Sequence, residues 1–243
     1  MLQALTFDVT GTLIHCPRLG DIYAEVLGRH GIAIEPAEAR RLVGVVWREL
    51  ACLADPGRDR FTSHPEGERG WWRRFVERLC ELHGAPVPTR FASSELFHRF
   101  GSAESWEVYP EVPRVLADLR EQGLRIGVIS NWDHRLPGLL AGLGLAASLD
   151  AITYSSAAGV EKPDRRIFLQ ALRGLGVNPG AALHVGDSRL NDMEGAIAAG
   201  MRALHLDRER GKGRFRNLSG LPYWIATEAR WLSEGGPGSV LDL

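Results

Sequence analysis

The distribution of hydrophobic and polar residues divides the chain into a short strand, a long helical stretch and a regular alternation of strands and helices. The mainly apolar stretch Leu5-Thr6-Phe7 leads directly into Asp8-Val9-Thr10-Gly11-Thr12, a turn of small residues that carries one carboxylate. A short apolar run bounded by such a turn is typical of a buried strand in a parallel sheet. The pattern therefore places Asp8 at the carboxyl end of the first strand.

The spacing of apolar residues over 15–104 predicts helices and no strand. Four segments carry apolar residues at helical spacing; the second opens at Pro36 and the third ends near Gly84. Four helices with apolar faces predict a small bundle. Trp71 and Trp72 are interpreted as part of its core, because aromatic residues at helical spacing usually face inward. Residues 59–67 predict an exposed loop.

From about residue 105 the pattern alternates between strands and helices. Strands are predicted at 124–129, 149–154, 182–185 and 201–206, and helices at 110–122, 135–143, 165–175 and 190–199, with a final helix or strand pair at 222–232. Such alternation predicts an α/β fold, in which right-handed crossovers build a doubly wound parallel sheet. We therefore expect a catalytic core formed by residues 1–14 and 105–243, interrupted by a helical insertion at 15–104.

Composition excludes several classes of function. The 243 residues are 44% hydrophobic and carry a formal net charge of -1, which is ordinary for a globular chain. Because the charge balance shows no basic surplus, we expect a small-molecule partner rather than nucleic acid or a membrane. No secretion signal or long apolar run is apparent, so a cytoplasmic location is expected. The three scattered cysteines indicate neither a disulfide framework nor a zinc site.

The chemically informative residues lie in four segments, each at or near the end of a predicted strand: Asp8 to Thr12, Ser130-Asn131, Lys162-Pro163, and Gly186-Asp187 with Asp192. Ligands of parallel sheets bind beyond the carboxyl ends of the strands. Each segment alone also has an ordinary interpretation, as a turn, a helix cap, a loop or an acidic first turn of a helix. Their common order and position favour a shared site.

Together these residues are suited to phosphoryl transfer. A carboxylate such as Asp8 can attack phosphorus, and Asp187 offers hard oxygen ligands to Mg²⁺. Lys162 and the cation would offset repulsion among the carboxylates and a phosphate dianion. His134, His184 and His205 lack a partner at metal-ligand spacing, so they are interpreted as surface or core histidines.

The four segments closely resemble the motifs of the haloacid dehalogenase-like hydrolase superfamily, whose members carry them in this order on a Rossmann-like sheet. The resemblance covers nearly the whole chain, and it implies that the helical insertion is a C1-type cap. It also implies roles for individual residues: catalysis by Asp8, Lys162 and Ser130; substrate binding by Asn131 and by Thr12, which supports the turn; and Mg²⁺ binding by Asp8, the Thr10 carbonyl, Asp187 and Asp192.

Thr10 departs from the pattern of the superfamily's phosphatases, which carry a second aspartate at this position as general acid and base. Threonine cannot exchange a proton with a leaving alkoxide or water near neutral pH, and such a group contributes about 10²- to 10⁴-fold in rate. The Asp-x-Thr-Gly-Thr pattern also resembles the phosphorylation motif of P-type ATPases, in which the aspartyl phosphate lives longer. A slow phosphatase is therefore one expectation.

Three functions remain open from the sequence. The first is a Mg²⁺-dependent phosphohydrolase or phosphotransfer enzyme acting on a small phosphate ester or acyl phosphate. The second is a 2-haloacid dehalogenase; these enzymes work without a metal, but they resemble Ser-Asn rather than Gly186-Asp187 at the fourth motif. The third is a non-catalytic domain that binds phosphate or a protein. The pattern specifies no oligomeric state.

Overall fold

The computed structural model describes residues 1–52, 57–208, 215–228 and 240–241. The chain divides into two compact units. One contains Met1–His15 and Val108–Leu243, and the other contains Cys16–Glu107. We refer to them as the α/β unit and the helical unit.

Among its described residues, the helical unit contains four α-helices: α1 (Leu19–Arg29), α2 (Pro36–Cys52), α3 (Gly67–His83) and α4 (Arg90–Gly101). Their ends follow local rules. Pro36 opens α2, where its missing N–H costs nothing, and Gly84 ends α3 in the left-handed conformation at φ 75°. Thr89 caps α4 by accepting a hydrogen bond from the amide of Ala92. All four helices contribute buried residues to one hydrophobic core, so the predicted helical bundle is confirmed.

Aromatic residues form a large part of the core of the helical unit. Trp71 is 6% exposed and stands edge-on to Trp72, with ring centroids 4.9 Å apart. Phe61 is 1% exposed and packs against both tryptophans. The interpretation of Trp71 as a core residue is thus confirmed, whereas the expectation of an exposed loop at residues 59–67 was wrong for Asp59, Arg60 and Phe61. These three residues are buried because Phe61 fills the aromatic core and brings its neighbours inward.

The α/β unit carries the alternating elements. Its strands are β1 (Ala4–Phe7), β4 (Arg125–Ser130), β5 (Ala151–Tyr154), β6 (Ala182–Gly186), β7 (Arg202–His205) and β8 (Val240–Leu241). Its helices are α5 (Val112–Glu121), α6 (Leu136–Gly142), α7 (Ser155–Ala158), α8 (Arg165–Leu175), α9 (Gly195–Ala198) and α10 (Leu221–Glu228). Two further strands, β2 (Ile14–His15) and β3 (Glu107–Val108), form a separate two-stranded sheet.

The main sheet has the strand order β5-β4-β1-β6-β7-β8, and all its pairs are parallel. This is the predicted doubly wound α/β fold. The chain proceeds from β1 through β4 to β5 on one side and then returns to β6 on the other side of β1. The switch in direction lies between β1 and β6, and such a switch point opens a crevice beyond the carboxyl ends of the strands.

The structure differs from the predicted elements in several short segments. The helix expected at 190–199 is a π-helical turn, Arg189–Glu194, followed by α9. The short helix α7 and the two-residue strands β2 and β3 were not predicted, because elements of two to four residues have too few positions to show a period. Where a final helix or strand pair was expected at 222–232, the structure has the helix α10, and residues 229–232 lie outside the described residues; the two-residue strand β8, which follows, was not predicted. Among the described residues, no helix combines the length and apolar character needed to cross a lipid bilayer.

Candidate active site

The sheet brings the predicted site residues to its carboxyl edge. Asp8 directly follows β1 and Asp187 directly follows β6, so they flank the switch point of the sheet. Ser130 is the last residue of β4, and Lys162 lies in the loop before α8. Asp8, Ser130 and Lys162 are all buried, at 7%, 3% and 3% exposure.

Lys162 forms the centre of the site. Its ammonium group donates to Asp8 Oδ1 at 2.6 Å and to Asp192 Oδ1 at 2.5 Å. The Ser130 hydroxyl donates to the same Asp8 oxygen at 3.4 Å. Three of the four sequence segments therefore meet at Asp8.

Burial and charge oppose each other among these groups. Burial lowers the pKa of Lys162, but the Asp192 and Asp8 carboxylates outweigh it and hold that pKa above its ordinary value. Burial raises the pKa of Asp8, and Lys162 counteracts part of the rise. Asp192 has a lowered pKa because Lys162 and His184 together outweigh its burial. Lys162 is therefore a cation, and Asp192 is its firmly ionised partner.

Asn131 holds the main chain of Lys162. Its side-chain nitrogen donates to the Lys162 carbonyl oxygen at 2.9 Å, and its side-chain oxygen accepts from the Lys162 amide at 2.6 Å. Neither Ser130 nor Asn131 caps a helix, since α6 begins at Leu136 with Arg135 as its N-cap residue. The Asn131 amide thus contributes to the site by fixing the backbone from which Lys162 extends; a contact from Asn131 to substrate stays a prediction.

Three carboxylates converge at the site. Oxygen atoms of Asp8, Asp187 and Asp192 all lie within 4.8 Å of one another. Loss of solvent around its carboxyl group and the negative charges of Asp8 and Asp192 raise the pKa of Asp187 to about 7, although the residue as a whole is exposed at the edge of the site. Three carboxylates beside one ammonium leave an excess of negative charge. A cluster of hard oxygen donors with such an excess fits a divalent cation of the Mg²⁺ type.

Two glycines allow the carboxylates to approach. A Cβ atom built on Gly11 would overlap Asp187 Oδ2, and one built on Gly186 would overlap the carboxylate of Asp192. Gly11 also has a φ of 84°, in the left-handed region that residues with a side chain rarely adopt. The glycines of the first and fourth segments are therefore required by the carboxylates packed against them.

Gly11→Ala is expected to destabilise the protein more than the same change at Gly123. Both glycines have a positive φ, 84° and 79°, but the space beside Gly123 is open. The backbone conformation alone costs about 1–2 kcal/mol, and Gly11→Ala adds the overlap with Asp187. Urea unfolding of the two variants measures the difference. Equal free energies of unfolding would show that the site tolerates the added methyl group.

Thr10 and Thr12 differ in their surroundings. Thr10 is exposed in the turn after Asp8, whereas Thr12 is fully buried, and its hydroxyl has no hydrogen-bond partner among the described residues. The amides of Thr12 and Leu13 both donate to the carbonyl oxygen of Val9, at 3.3 and 2.8 Å. The turn is thus closed by its own backbone, and a substrate contact from Thr12 stays a prediction.

Arg208 supports this turn from a distant part of the chain. Its guanidinium donates to the Thr12 carbonyl oxygen and to Glu111 Oε1, both at 2.7 Å, and lies 3.5 Å from the ring centroid of Tyr109. Glu111 Oε1 also accepts from the amide of Leu218 at 3.2 Å. Sequence reasoning did not identify Arg208, because 196 positions separate it from Thr12.

His184 is a second residue that sequence reasoning did not connect with the site. It is a core histidine, 0% exposed, and its Nε2 lies 3.2 Å from Asp192 Oδ1. Its Nδ1 lies 2.9 Å from the hydroxyl oxygen of Thr6. Burial lowers the pKa of His184 and the Asp192 carboxylate opposes this effect. One signal was available in the sequence: a histidine inside a strand that is otherwise apolar and buried on both faces needs a polar partner.

Comparison with known proteins identifies the relatives of this chain. The family description "haloacid dehalogenase-like hydrolase" matches residues 2–200. A human protein, haloacid dehalogenase-like hydrolase domain-containing protein 3, is 35% identical over 207 residues, covering 84% of this chain and 81% of its own. Glyceraldehyde 3-phosphate phosphatase of Methanopyrus kandleri is 30% identical, covering 90% and 88%.

The solved structures include a 2-haloacid dehalogenase from Pseudomonas syringae, which is 27% identical with a TM-score of 0.62, covering 94% of this chain and 100% of its own. The fold is thus shared by enzymes that are named for reactions at phosphorus and at carbon. Residues of the site, rather than the fold, must distinguish the two.

Proposed function

This chain belongs to the haloacid dehalogenase-like hydrolase family, and we propose that it is a magnesium-dependent phosphohydrolase that forms an aspartyl phosphate on Asp8. One observation carries the proposal: Asp8 lies against Lys162 and Ser130 while the Asp187 and Asp192 carboxylates converge beside it. The substrates would be small phosphate esters or acyl phosphates, in keeping with relatives that are named as phosphatases.

In the first step the Asp8 carboxylate attacks phosphorus. A bond forms between a carboxylate oxygen and phosphorus, and the bond from phosphorus to the leaving group breaks. Lys162 holds Asp8 in place and presents a positive charge to the incoming phosphoryl group, while the Ser130 hydroxyl offers a hydrogen bond to a phosphoryl oxygen. Positioning and charge supply most of the catalysis in reactions of this type.

The donor set indicates where Mg²⁺ would bind. Asp8 and Asp187 would hold it, together with the Thr10 carbonyl that the family resemblance suggests. We assign Asp192 mainly to Lys162, because Asp192 Oδ1 already accepts from Lys162 and His184, and its Oδ2 accepts from the Ser188 amide at 2.9 Å. A bound Mg²⁺ would supply positive charge to the phosphoryl oxygens.

Asp187 favours phosphohydrolysis over carbon–halogen hydrolysis. Dehalogenases of the superfamily resemble Ser-Asn at this point and need no metal, whereas this chain adds a third carboxylate next to Asp8. An additional negative charge beside the nucleophile is unfavourable unless a cation compensates for it. A metal-free dehalogenase would gain nothing from Asp187.

Thr10 limits the second step. Its hydroxyl cannot take a proton from water near neutral pH, so hydrolysis of the aspartyl phosphate should be slow. The same lack disfavours leaving groups that need a proton, such as simple alkoxides. We therefore propose that acyl phosphates, whose leaving carboxylates need no proton, phosphorylate Asp8 more readily than alkyl phosphates do.

Direct detection of the aspartyl phosphate tests the proposed function. The protein is mixed with acetyl phosphate and Mg²⁺, quenched in acid and digested, and the peptide that contains Asp8 is analysed by mass spectrometry. We expect a phosphoryl group on Asp8 in the parent protein and none in Asp8→Asn. If the parent is never phosphorylated and never binds fluoroberyllate, a non-catalytic binding domain is the correct interpretation.

Asp187→Asn is expected to abolish measurable Mg²⁺ binding. The substitution keeps the size of the side chain but removes one negative charge and weakens an oxygen ligand of a cation that prefers carboxylates. Isothermal titration calorimetry with Mg²⁺ compares this variant with the parent and with Asp164→Asn, a matched carboxylate that caps α8 outside the site. Equal affinity in all three proteins would contradict the assignment.

A further inference from the structure

Beyond the residues proposed to contact the substrate, a continuous series of buried polar contacts links Thr6 to His184, His184 to Asp192, and Asp192 to Lys162. Thr6 and His184 are register partners on the parallel strands β1 and β6, and both are 0% exposed. The Thr6 hydroxyl lies 2.9 Å from His184 Nδ1, and His184 Nε2 lies 3.2 Å from Asp192 Oδ1. Asp192 Oδ1 then accepts from Lys162 at 2.5 Å.

The chemistry of the partners fixes the direction of these hydrogen bonds. An ionised carboxylate can only accept, so His184 Nε2 must carry a proton and donate it to Asp192. His184 Nδ1 is then free to accept from the Thr6 hydroxyl, which is able to donate. With these directions, each polar atom that links Thr6, His184, Asp192 and Lys162 has a partner of the right kind, as buried polar groups require.

This series of hydrogen bonds determines the orientation of the Asp192 carboxylate. Asp192 Oδ1 accepts hydrogen bonds from His184 and Lys162, and Asp192 Oδ2 accepts one from the amide of Ser188. Gly186 leaves the space that this carboxylate occupies. A carboxylate held by three donors cannot rotate without breaking a buried hydrogen bond. Asp192, the second acceptor of the Lys162 ammonium, is therefore held at a fixed position.

We propose that His184, oriented by Thr6, is a positioning residue that fixes Asp192 and, through it, the Lys162 ammonium against Asp8. An ordinary core role explains this position less well, since an apolar side chain would fill a strand interior without the desolvation cost of an imidazole. The rings of His184 and Phe168 also pack perpendicular to each other, with centroids 5.1 Å apart, which restrains the imidazole plane. The catalytic part of this inference rests on the proposed function, but the structural part does not.

The Lys162 ammonium gives a direct readout that does not depend on activity. The sequence contains two lysines, Lys162 and Lys212, so a protein labelled with ¹⁵N-lysine gives two side-chain signals, and Lys212→Arg assigns them. We expect the protons of the Lys162 ammonium to exchange slowly with solvent in the parent. They should exchange faster in His184→Phe, which keeps a ring but has no N–H, and His184→Gln, which restores an N–H donor, should recover much of the protection.

The rate of Asp8 phosphorylation gives the second readout. We expect His184→Phe to lower it about 10- to 100-fold, as is usual when a residue that orients a site ligand is removed, with His184→Gln closer to the parent. Thr6→Val, which removes only the hydroxyl, should have a smaller effect in the same direction. Leu204→Ala, a buried apolar change on β7, controls for lost stability and should leave the rate unchanged.

The outcomes separate the inference from the proposed function. The inference is wrong if Lys162 exchange and Asp8 phosphorylation are both unchanged in His184→Phe, or if His184→Gln is no better than His184→Phe. It is also wrong if Leu204→Ala lowers the rate as much as His184→Phe does. If the parent protein is never phosphorylated, the proposed function fails, and Lys162 exchange in the same variants still decides whether His184 positions the ammonium.

Discussion

Thr10→Asp is expected to raise the steady-state turnover of alkyl phosphates by about one to three orders of magnitude, within the range that a positioned acid–base group supplies. The new carboxylate would lie two residues after Asp8, in a turn where position 10 is exposed and has room for the change. It could protonate the leaving alkoxide and then take a proton from the attacking water. Burst and steady-state kinetics separate the two steps.

Thr10→Asn is the matched control, because asparagine has nearly the size of aspartate but transfers no proton at neutral pH. We expect this variant to behave as the parent does, with a rapid burst of phosphorylation from an acyl phosphate and slow release. A parent protein that already hydrolyses alkyl phosphates rapidly would refute this account of Thr10, since another group would then supply the base.

Lys162→Arg is expected to lower Asp8 phosphorylation by about 10²- to 10³-fold, as for the loss of a preorganised charged donor, although it conserves the charge. The ammonium occupies a buried slot only as wide as one nitrogen between Asp8 Oδ1 and Asp192 Oδ1, at 2.6 and 2.5 Å. A planar guanidinium with five donors does not fit the place of a compact point charge. Acid-quench measurement of the phosphorylated protein gives the rate.

Lys162→Met provides the comparison that separates charge from shape. It should lose activity to a similar extent, but it leaves Asp8 and Asp192 buried without their cation, and breaking a buried pair in this way costs about 3–5 kcal/mol. Urea unfolding should therefore rank Lys162→Met below Lys162→Arg in stability. An arginine variant with parental activity would show that any cation suffices.

Composition supports the requirement for lysine at this position. Of the 29 lysines and arginines in the chain, only Lys162 and Lys212 are lysines. The chain uses arginine at almost every other cationic position but has the shorter, rotatable ammonium at the centre of its site. The sequence contained this signal, but its meaning depends on the geometry around Asp8.

Local patterns predicted most of the fold. Helix α8 spans Arg165–Leu175, as its apolar spacing and the glycine after it indicated, and the strands followed from apolar runs bounded by turns. The π-helical turn Arg189–Glu194 was not predicted, because its residues keep a helical spacing of apolar positions while Asp192 turns toward Lys162. Single π-helical turns of this kind are frequent at functional sites.

The order of the four sequence segments also predicted that Asp8, Ser130 and Lys162 would meet, and the structure brings them together. The pattern could not predict how they are supported. Thr6 and His184 are 178 positions apart, and Arg208 reaches Thr12 across 196 positions. Such pairs depend on strand register and on loop paths, which one sequence without its fold does not encode in any local period.

Gly11 and Gly186 also determine how the site can evolve. Each carboxylate packed against them occupies the volume that a side chain would otherwise fill. The negative charges can therefore lie close together because these two positions have no side chain. Every amino acid that a single nucleotide change can produce from glycine carries at least a Cβ atom. A substitution at either glycine must therefore displace a carboxylate of the site, whereas Thr10 is exposed in the turn and can change without such a displacement.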